Sequence, residues 1–323
     1  MEENNKNIKK KAFSGFFWKS SERILARLVT LIVSIVLARL LTPDDYSVVG
    51  IVGIFFAFAN LFISGGFNQA LIQKKDIENI DYTTTFCINF ISAVVLYAVL
   101  FFTAPLIANA YNKQILVPVF RIMGLTFFIN AFKSIFCSYT SKNLKFKSFF
   151  RATIIGTIIS AVIGIIMAYT GFGPWALVAQ QMSNAFIDTI LLSFGSKVKF
   201  AFKFSKQSFK FIFNYGWKMM AASLVSTIYD EIRPLVIGLK FSPSDLSYYK
   251  KGMSFPSVIN STFGDSFAGV LFPVMSKLQD DKVAVLNCMS RFFQVSSFFV
   301  FPMMMGFAVI GDKFISIFLT DKW

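Results

Sequence analysis

Long apolar runs alternate with short polar turns along the whole chain. About nine runs reach the roughly 20 residues that a helix needs to cross a lipid bilayer. Helices also satisfy their own backbone hydrogen bonds, which hydrocarbon requires. The pattern predicts an all-α membrane protein with about nine spans. The predicted spans lie near residues 20–41, 46–72, 83–106, 116–138, 150–170, 173–194, 211–239, 248–273 and 284–310.

Composition supports this prediction and removes several other classes. Of the 323 residues, 55% are hydrophobic and 17% are aromatic, far more than a soluble domain carries. There is no histidine and there are three cysteines, which leaves little material for a zinc site, a disulfide framework or histidine catalysis. We therefore expect no metal and no cofactor. We take Cys87, Cys137 and Cys288 as small apolar residues.

The formal net charge of +15 follows the connections between spans. A nucleic-acid-binding domain clusters its cations on one soluble face, so we expect no nucleic acid partner. With a cytoplasmic N-terminus, the basic runs 142–151 and 197–210 fall on the inner side, together with the basic leader. The bias predicts an N-terminus in the cytoplasm and a leader that is retained, not cleaved as a signal peptide.

The chain also carries an internal repeat of about 200 residues. The stretch "VLARLLTPDD" at 36–45 matches "VIGLKFSPSD" at 236–245, and "GFFWK" at 15–19 matches "NYGWK" at 214–218. Six predicted spans separate the copies. We therefore expect two pseudo-symmetric six-helix lobes, with an N-terminal lobe at 1–200 and a partial C-terminal lobe of three helices at 201–323. The second lobe is incomplete relative to the first.

Polar residues inside two of the spans recur at helical spacing. Because side chains three and four residues apart share one face of a helix, each set forms a polar stripe. A charge facing lipid is costly, so we expect the two stripes to face each other across a hydrated cleft. The stripe of the first span is Ser20, Arg23, Arg27, Thr30 and Ser34, and that of the seventh is Ser223, Ser226, Asp230 and Arg233, flanked by Glu231.

Other interpretations of these residues stay open. Lys19, Glu22 and Arg23 would also fit a snorkelling position at the inner membrane interface. Asp230 and Arg233 could neutralise each other locally, next to the helix-breaking Pro234. On the sixth span, we expect Gln181, Asn184 and Asp188 to form hydrogen bonds between helices and not to bind a ligand.

Four stretches carry a resemblance to a known family. They are "LARLLTPDDYSVVGIV", "GFGPWALVAQQM", "DLSYYKKGMSFP" and "GVLFPVMSKLQDD". In their order and spacing the chain resembles the Wzx-type oligosaccharide flippases, the polysaccharide transporter branch of the multidrug/oligosaccharidyl-lipid/polysaccharide superfamily. Ser47 and Ser247 stand where that family often has glycine.

The resemblance implies a transporter and not an enzyme. It implies that undecaprenyl-pyrophosphate-linked oligosaccharide is flipped across the bacterial plasma membrane by alternating access. Lipid-linked oligosaccharide and membrane lipids are then the direct partners, with a polymerase and glycosyltransferases in the same pathway. The implied cationic cavity maps onto Arg23 and Arg27, then Arg233, with Lys19 and Lys218 as inner-gate contacts. The candidate coupling or charge-pairing carboxylates are Asp230, Glu231 and Glu22.

Competing functions differ in the site that they need. A multidrug/cation antiporter of the same superfamily needs an acidic or aromatic cleft, which the arginines disfavour. A lipid II flippase would share a cationic cleft and stays open. A polymerase or lipid-linked glycosyltransferase needs a large catalytic loop or a soluble domain, and every predicted connection is short. No phosphate-binding loop of the kind that ATP-driven pumps carry occurs in the sequence.

Overall fold

A computed structural model of the protein describes residues 25, 27–74, 77–143, 145–196, 198, 204–258 and 282–323. Those residues form helices joined by short turns, with no strand among them, and the predicted all-α class is confirmed. The helices are α1 (27–40), α2 (Pro43–Asn60), a π-helical turn (Leu61–Gly65), α3 (Phe67–Gln73), α4 (Asn79–Ala110), α5 (Leu116–Gly124), α6 (Thr126–Lys142), α7 (Phe146–Tyr169), α8 (Pro174–Gly195), α9 (Lys206–Lys240), α10 (243–258) and α11 (Lys282–Phe318).

Five stretches of the described chain are long and apolar enough to cross a membrane. They match the second, third, fourth, fifth and ninth predicted spans, so this is a multi-span membrane protein. α8 and α9 are helices where the sixth and seventh spans are expected, but both are richer in polar residues and fall outside this group. Nine spans in two lobes stay a prediction. The five stretches are Pro43–Gln73, Asn79–Ala110, Leu116–Lys142, Lys147–Tyr169 and Val285–Phe318.

The chain divides into two compact units, Met1–Ser247 and Tyr248–Trp323. In the first unit, α9 packs along α2, the π-helical turn, α3 and α4. In the second unit, the ring of Phe255 lies 5.1 Å from that of Phe314, and the ammonium of Lys251 lies 5.6 Å from the ring of Trp323. The predicted lobe boundary near residue 200 stays a prediction.

Close packing between helices shapes the first unit. Its largest buried cluster joins α2, α4, α5 and α6, with Phe56 and Phe127 in ring contact at 4.6 Å. In lipid, apolar burial alone does not drive helices together, so close approach and polar contacts between helices carry more of the stabilisation. We therefore expect the close crossings of α9 and the polar contacts of α6 to contribute most to holding these helices together.

α9 crosses the end of the π-helical turn at two glycines. A Cβ placed on Gly66 would overlap the carbonyl oxygen of Gly216 and lie 2.9 Å from the backbone nitrogen of Met220. Both glycines are buried. The two backbones can approach this closely only because neither residue carries a side chain.

The two repeat-related turns have the same capping geometry. The backbone nitrogen of Thr42 donates to Asp45 at 2.9 Å, and that of Ser242 donates to Asp245 at 2.9 Å. In each turn the hydroxyl also donates to the same carboxylate at 2.7 Å. The matched sequences at 36–45 and 236–245 therefore begin α2 and α10 with the same motif.

These turns also contact each other. The hydroxyl of Ser247 donates to the carbonyl oxygen of Pro43 at 2.7 Å, which joins the two copies of the repeat. On the first copy, the ammonium of Lys113 donates to Ser47 at 2.7 Å and forms an ion pair with Asp44. The two serines that depart from the family's glycines therefore both make hydrogen bonds at this junction. We call it the capping junction.

Candidate functional site

The predicted site residues fall into three groups. Lys19, Glu22 and Arg23 lie outside the described residues. Arg27 lies on α1 and is half-buried, one helical turn before Thr30. The remaining predicted site residues lie on α9, and they are Lys218, Asp230, Glu231 and Arg233.

The polar residues of α9 do not all share one face. Asp230 and Arg233 are exposed, whereas Glu231 is turned by about 100° from Asp230 and is half-buried. Arg233 donates to the hydroxyl of Tyr229 at 2.9 Å, and its guanidinium lies 5.0 Å from that ring. Arg233 is thus held by the residue one turn before it. A role for this stripe in a cleft stays a prediction.

The polar face of α1 leads into a cavity of about 400 Å³ inside the first unit. Thr30 and Ser34 line the cavity from α1, which places two members of the predicted first stripe there. Seven of the eleven lining residues carry a hydroxyl or an amide group. The other lining residues are Leu37, Tyr46, Lys133, Thr157, Leu177, Gln180, Gln181, Asn184 and Ala185.

One ion pair between helices stands at this cavity. The ammonium of Lys133 on α6 lies 2.8 Å from a carboxylate oxygen of Asp188 on α8. The Lys133 side chain is 28% exposed, whereas that of Asp188 is 8% exposed and does not line the cavity. Asp188 therefore sits behind Lys133 and fixes its ammonium at the cavity wall.

The backbone of α7 makes room for this carboxylate. A Cβ placed on Gly156 would overlap the second carboxylate oxygen of Asp188 and lie 3.1 Å from its Cγ. That oxygen is buried, and among the described residues it has no hydrogen-bond partner. The pair is thus built from three helices, because α6 and α8 supply the charges and α7 supplies the space.

Further polar contacts run along the same helix. Asn130, one turn before Ser134 on α6, donates to Asn60 of α2 at 3.0 Å. Asn89 of α4 is fully buried and donates to Ser134 at 2.9 Å. The prediction of polar contacts between helices is confirmed for Asp188, although Gln181 and Asn184 line the cavity instead.

Lys133 is the cavity residue that sequence reasoning missed. It lies inside the fourth predicted span, five residues before the predicted end at 138, in "FFINAFKSIFCSY". A lysine at that depth needs a partner, and Asp188 is the matching acid in the sixth span. The signal was present in the sequence, but the pairing joins residues 55 positions apart, so only the fold reveals it.

The side chains that could ligate a metal ion are not clustered in the described part of the chain. No group of three or more histidine, cysteine, aspartate or glutamate side chains occurs there in an arrangement that could hold a metal ion. The three cysteines are half-buried and free of disulfides. The lining of the cavity offers one ammonium, seven hydroxyl or amide side chains and three apolar side chains.

Fold and cavity together define a multi-span helical membrane protein with a polar site among its helices. The chain belongs to the family described as "Polysaccharide biosynthesis protein", whose model matches residues 36–323. The resemblance found in the sequence is confirmed at the level of this family.

Three curated relatives share low identity with the chain over most of its length. The lipopolysaccharide biosynthesis protein WzxC of Escherichia coli (strain K12) is 22% identical over 98% of the chain, and 65% of that protein is covered. The succinoglycan biosynthesis transport protein ExoT of Rhizobium meliloti (strain 1021) is 23% identical over 89% of the chain. The teichuronic acid biosynthesis protein TuaB of Bacillus subtilis (strain 168) is 22% identical over 98%. The chain spans 58–66% of the length of these relatives.

Two solved structures have a similar fold. The lipid II flippase MurJ, in an inward closed conformation, matches with a TM-score of 0.72 at 18% identity, covering 93% of this chain and 67% of that one. A multidrug resistance MATE family transporter, in an inward-facing conformation, matches with a TM-score of 0.67 at 14% identity, covering 91% and 72%. Both likenesses concern the fold alone.

Proposed function

We propose that this protein flips undecaprenyl-pyrophosphate-linked oligosaccharide across the bacterial plasma membrane by alternating access. The product would serve polysaccharide export, as O-antigen, capsule or exopolysaccharide. Membrane lipids and the lipid-linked oligosaccharide are the direct partners in this proposal. The polymerase and glycosyltransferases of the same pathway would act after and before it.

The observation that carries the proposal is the polar face of α1 that ends in a polar cavity. Arg27 is followed at helical spacing by Thr30 and Ser34, and both of these line the cavity of about 400 Å³. A pyrophosphate with attached sugars cannot enter hydrocarbon without partners for its charges and hydroxyls. A polar route among membrane helices supplies such partners, in a family named for polysaccharide biosynthesis.

Arginine suits the proposed head-group contact. A guanidinium offers several N–H donors in a planar arrangement that matches the oxygens of a phosphate. In this proposal Arg27 and Arg23 hold the pyrophosphate, with Arg233 as a further cationic contact in the cavity, while Lys19 and Lys218 contact it at the inner gate during entry. The lipid tail stays in the bilayer, at a lateral opening between the lobes.

The capping junction supports alternating access in one respect. It joins the two copies of the repeat through the 2.7 Å hydrogen bond from Ser247 to Pro43. With the N-terminus in the cytoplasm, this junction lies on the outer side of the membrane. A flippase must close that side while it loads substrate from the cytoplasm, and separation of the two turns would open it.

The driving force has two candidates. Moving negative charge outward across an inside-negative membrane releases about 2.3 kcal/mol per charge per 100 mV. The membrane potential alone could therefore favour export. In ion antiport, the carboxylates Asp230, Glu231 and Glu22 would carry the coupling protons, because the chain has no histidine.

Replacement of Arg27 tests the proposed head-group role. In the full-length protein, we expect Arg27→Ala to lower surface polysaccharide at least about tenfold, because a charge-assisted contact to phosphate is lost. Arg27→Lys keeps the charge and should retain part of the output. Wild-type surface polysaccharide from Arg27→Ala, at a normal membrane level of the protein, would contradict the role.

A further inference from the structure

The cavity beside α1 has the features of a built binding site. Its volume of about 400 Å³ falls within the range of about 300–1,000 Å³ typical of small-molecule sites. Among the described lining residues, Lys133 is the one that carries a charge. Three amides, from Gln180, Gln181 and Asn184, lie along the α8 side.

Lys133 is held so that its remaining donors face the cavity. Its ammonium has three N–H donors, and within the described chain Asp188 accepts one of them at 2.8 Å. Asp188 is 8% exposed and does not line the cavity, so the ion pair holds the ammonium at the wall from behind. Two N–H donors of the ammonium are then left for a ligand in the cavity.

The polar side chains that line the cavity favour a ligand with hydroxyl groups and a negative charge. Amides both donate and accept, so they suit the paired hydroxyls of a sugar. A fixed ammonium adds a site for an oxyanion, since charge-assisted hydrogen bonds are shorter and stronger than neutral ones. An apolar drug would displace water from these polar groups without replacing its hydrogen bonds, which is unfavourable.

We infer that this cavity is a subsite for a sugar bearing an oxyanion, with Lys133 as the group that contacts the anion and Asp188 as its positioning residue. The inference rests on the proposed function and adds to it, because it places part of the glycan inside the first unit, beyond the head-group contact at Arg27. The oxyanion is either the carboxylate of an acidic sugar or the phosphate attached to the first sugar.

Soluble sugars test this subsite directly on the purified full-length protein in detergent. The probes are methyl β-D-glucoside, methyl β-D-glucuronide and glucose 1-phosphate, with binding followed by ligand-detected NMR. We expect at least one anionic probe to bind about tenfold or more tightly than the neutral glucoside, because of the charge-assisted contact. A preference for the glucuronide assigns an acidic sugar, and a preference for glucose 1-phosphate assigns the phosphate.

Variants connect that preference to Lys133. Lys133→Met/Asp188→Leu removes both charges together, which avoids stranding one of them in a buried position. We expect it to abolish the preference for the anionic probe, while Lys133→Arg retains it. Lys313→Met on α11, an exposed lysine outside the cavity, is the matched control and should bind as wild type.

The outcomes separate this inference from the proposed function. Equal binding of neutral and anionic probes, no binding of any probe, or an unchanged preference in the double variant overturns the inference. If the wild-type gene still restores surface polysaccharide to a deletion strain, the proposed function survives that result. If it restores none, the proposed function fails whatever the probes show.

Discussion

The charged side chains around the cavity differ from those on α9 in their burial and in the helices that they contact. Lys133 and Asp188 come from two different helices, are largely buried and lie 2.8 Å apart. On α9, Asp230 and Arg233 are exposed, and Arg233 contacts Tyr229 of the same helix. A charge pair between helices fixes their relative position, whereas a contact within one helix does not, and α9 is held by other contacts such as its close crossing at Gly66 and Gly216. The charges of the first region therefore position two helices, whereas α9 is positioned by backbone packing instead.

Removal of one carboxylate from each region gives the largest contrast. Asp188→Asn leaves Lys133 without its charged partner, and we expect a loss of about 2–3 kcal/mol in the free energy of unfolding, less than for a fully buried pair because Lys133 is partly exposed. Asp230→Asn should change stability by less than about 0.5 kcal/mol. Thermal unfolding in detergent measures both. Equal losses would remove the distinction between the two regions.

The glycine crossing tests how α9 is held at its packed face. Gly66→Ala forces a Cβ against the backbone of Gly216 and Met220, which cannot move as a side chain can. We expect a loss of about 2 kcal/mol, in the range of overpacked sites. The control is Gly306→Ala in α11, where no atom of the described residues lies within 4 Å of the new Cβ. A stability as high as that of the control would mean that the helices separate here at little cost.

The Gly156→Ala substitution tests whether the ion pair between Asp188 and Lys133 needs a residue without a side chain on α7. The new methyl displaces the carboxylate of Asp188 and weakens its contact with Lys133, with an expected loss of about 1–2 kcal/mol. In an Asp188→Ala background the same change should cost much less, because the carboxylate is gone. A double-mutant cycle gives this coupling. Additive effects would show that Gly156 acts on something other than Asp188.

The two capping turns should respond alike, because their geometry is the same. We expect Thr42→Ala and Ser242→Ala each to lower the free energy of unfolding by about 1 kcal/mol.

The stability that the second turn contributes should also depend on pH. Hydrogen bonds from the side chain and backbone of Ser242 hold the pKa of Asp245 below its usual range, so its contribution is present above the ordinary carboxyl pKa and is lost as the pH falls through the folded-state value. Stability measured from pH 6 to pH 3 with Asp245→Asn checks this sign, and an identical pH dependence of wild type and variant would contradict it.

Much of the fold followed from the sequence, because hydropathy records the length of each span. The second, third, fourth, fifth and ninth spans lie where they were predicted. The π-helical turn at Leu61–Gly65 and the break between α5 and α6 were not predicted, since neither interrupts the apolar pattern.

The site was predicted less completely than the fold. The polar stripe on α1 was visible as a helical period, and Thr30 and Ser34 do line a cavity. The ion pair was not visible, because Lys133 and Asp188 meet only when α6 packs against α8. Periodicity reveals which face of a helix is polar, but the partner of that face depends on packing between helices distant in sequence.

Transport by the purified protein tests the central claim most directly. The full-length protein is reconstituted in lipid vesicles that contain undecaprenyl-pyrophosphate-linked oligosaccharide with a fluorescent sugar, and its movement between leaflets is followed with a membrane-impermeant quencher. The proposed function predicts flipping at least about tenfold faster than in protein-free vesicles, and slower flipping with Arg27→Ala. Flipping no faster than in protein-free vesicles, under either sign of membrane potential and with a pH gradient in either direction, would contradict it.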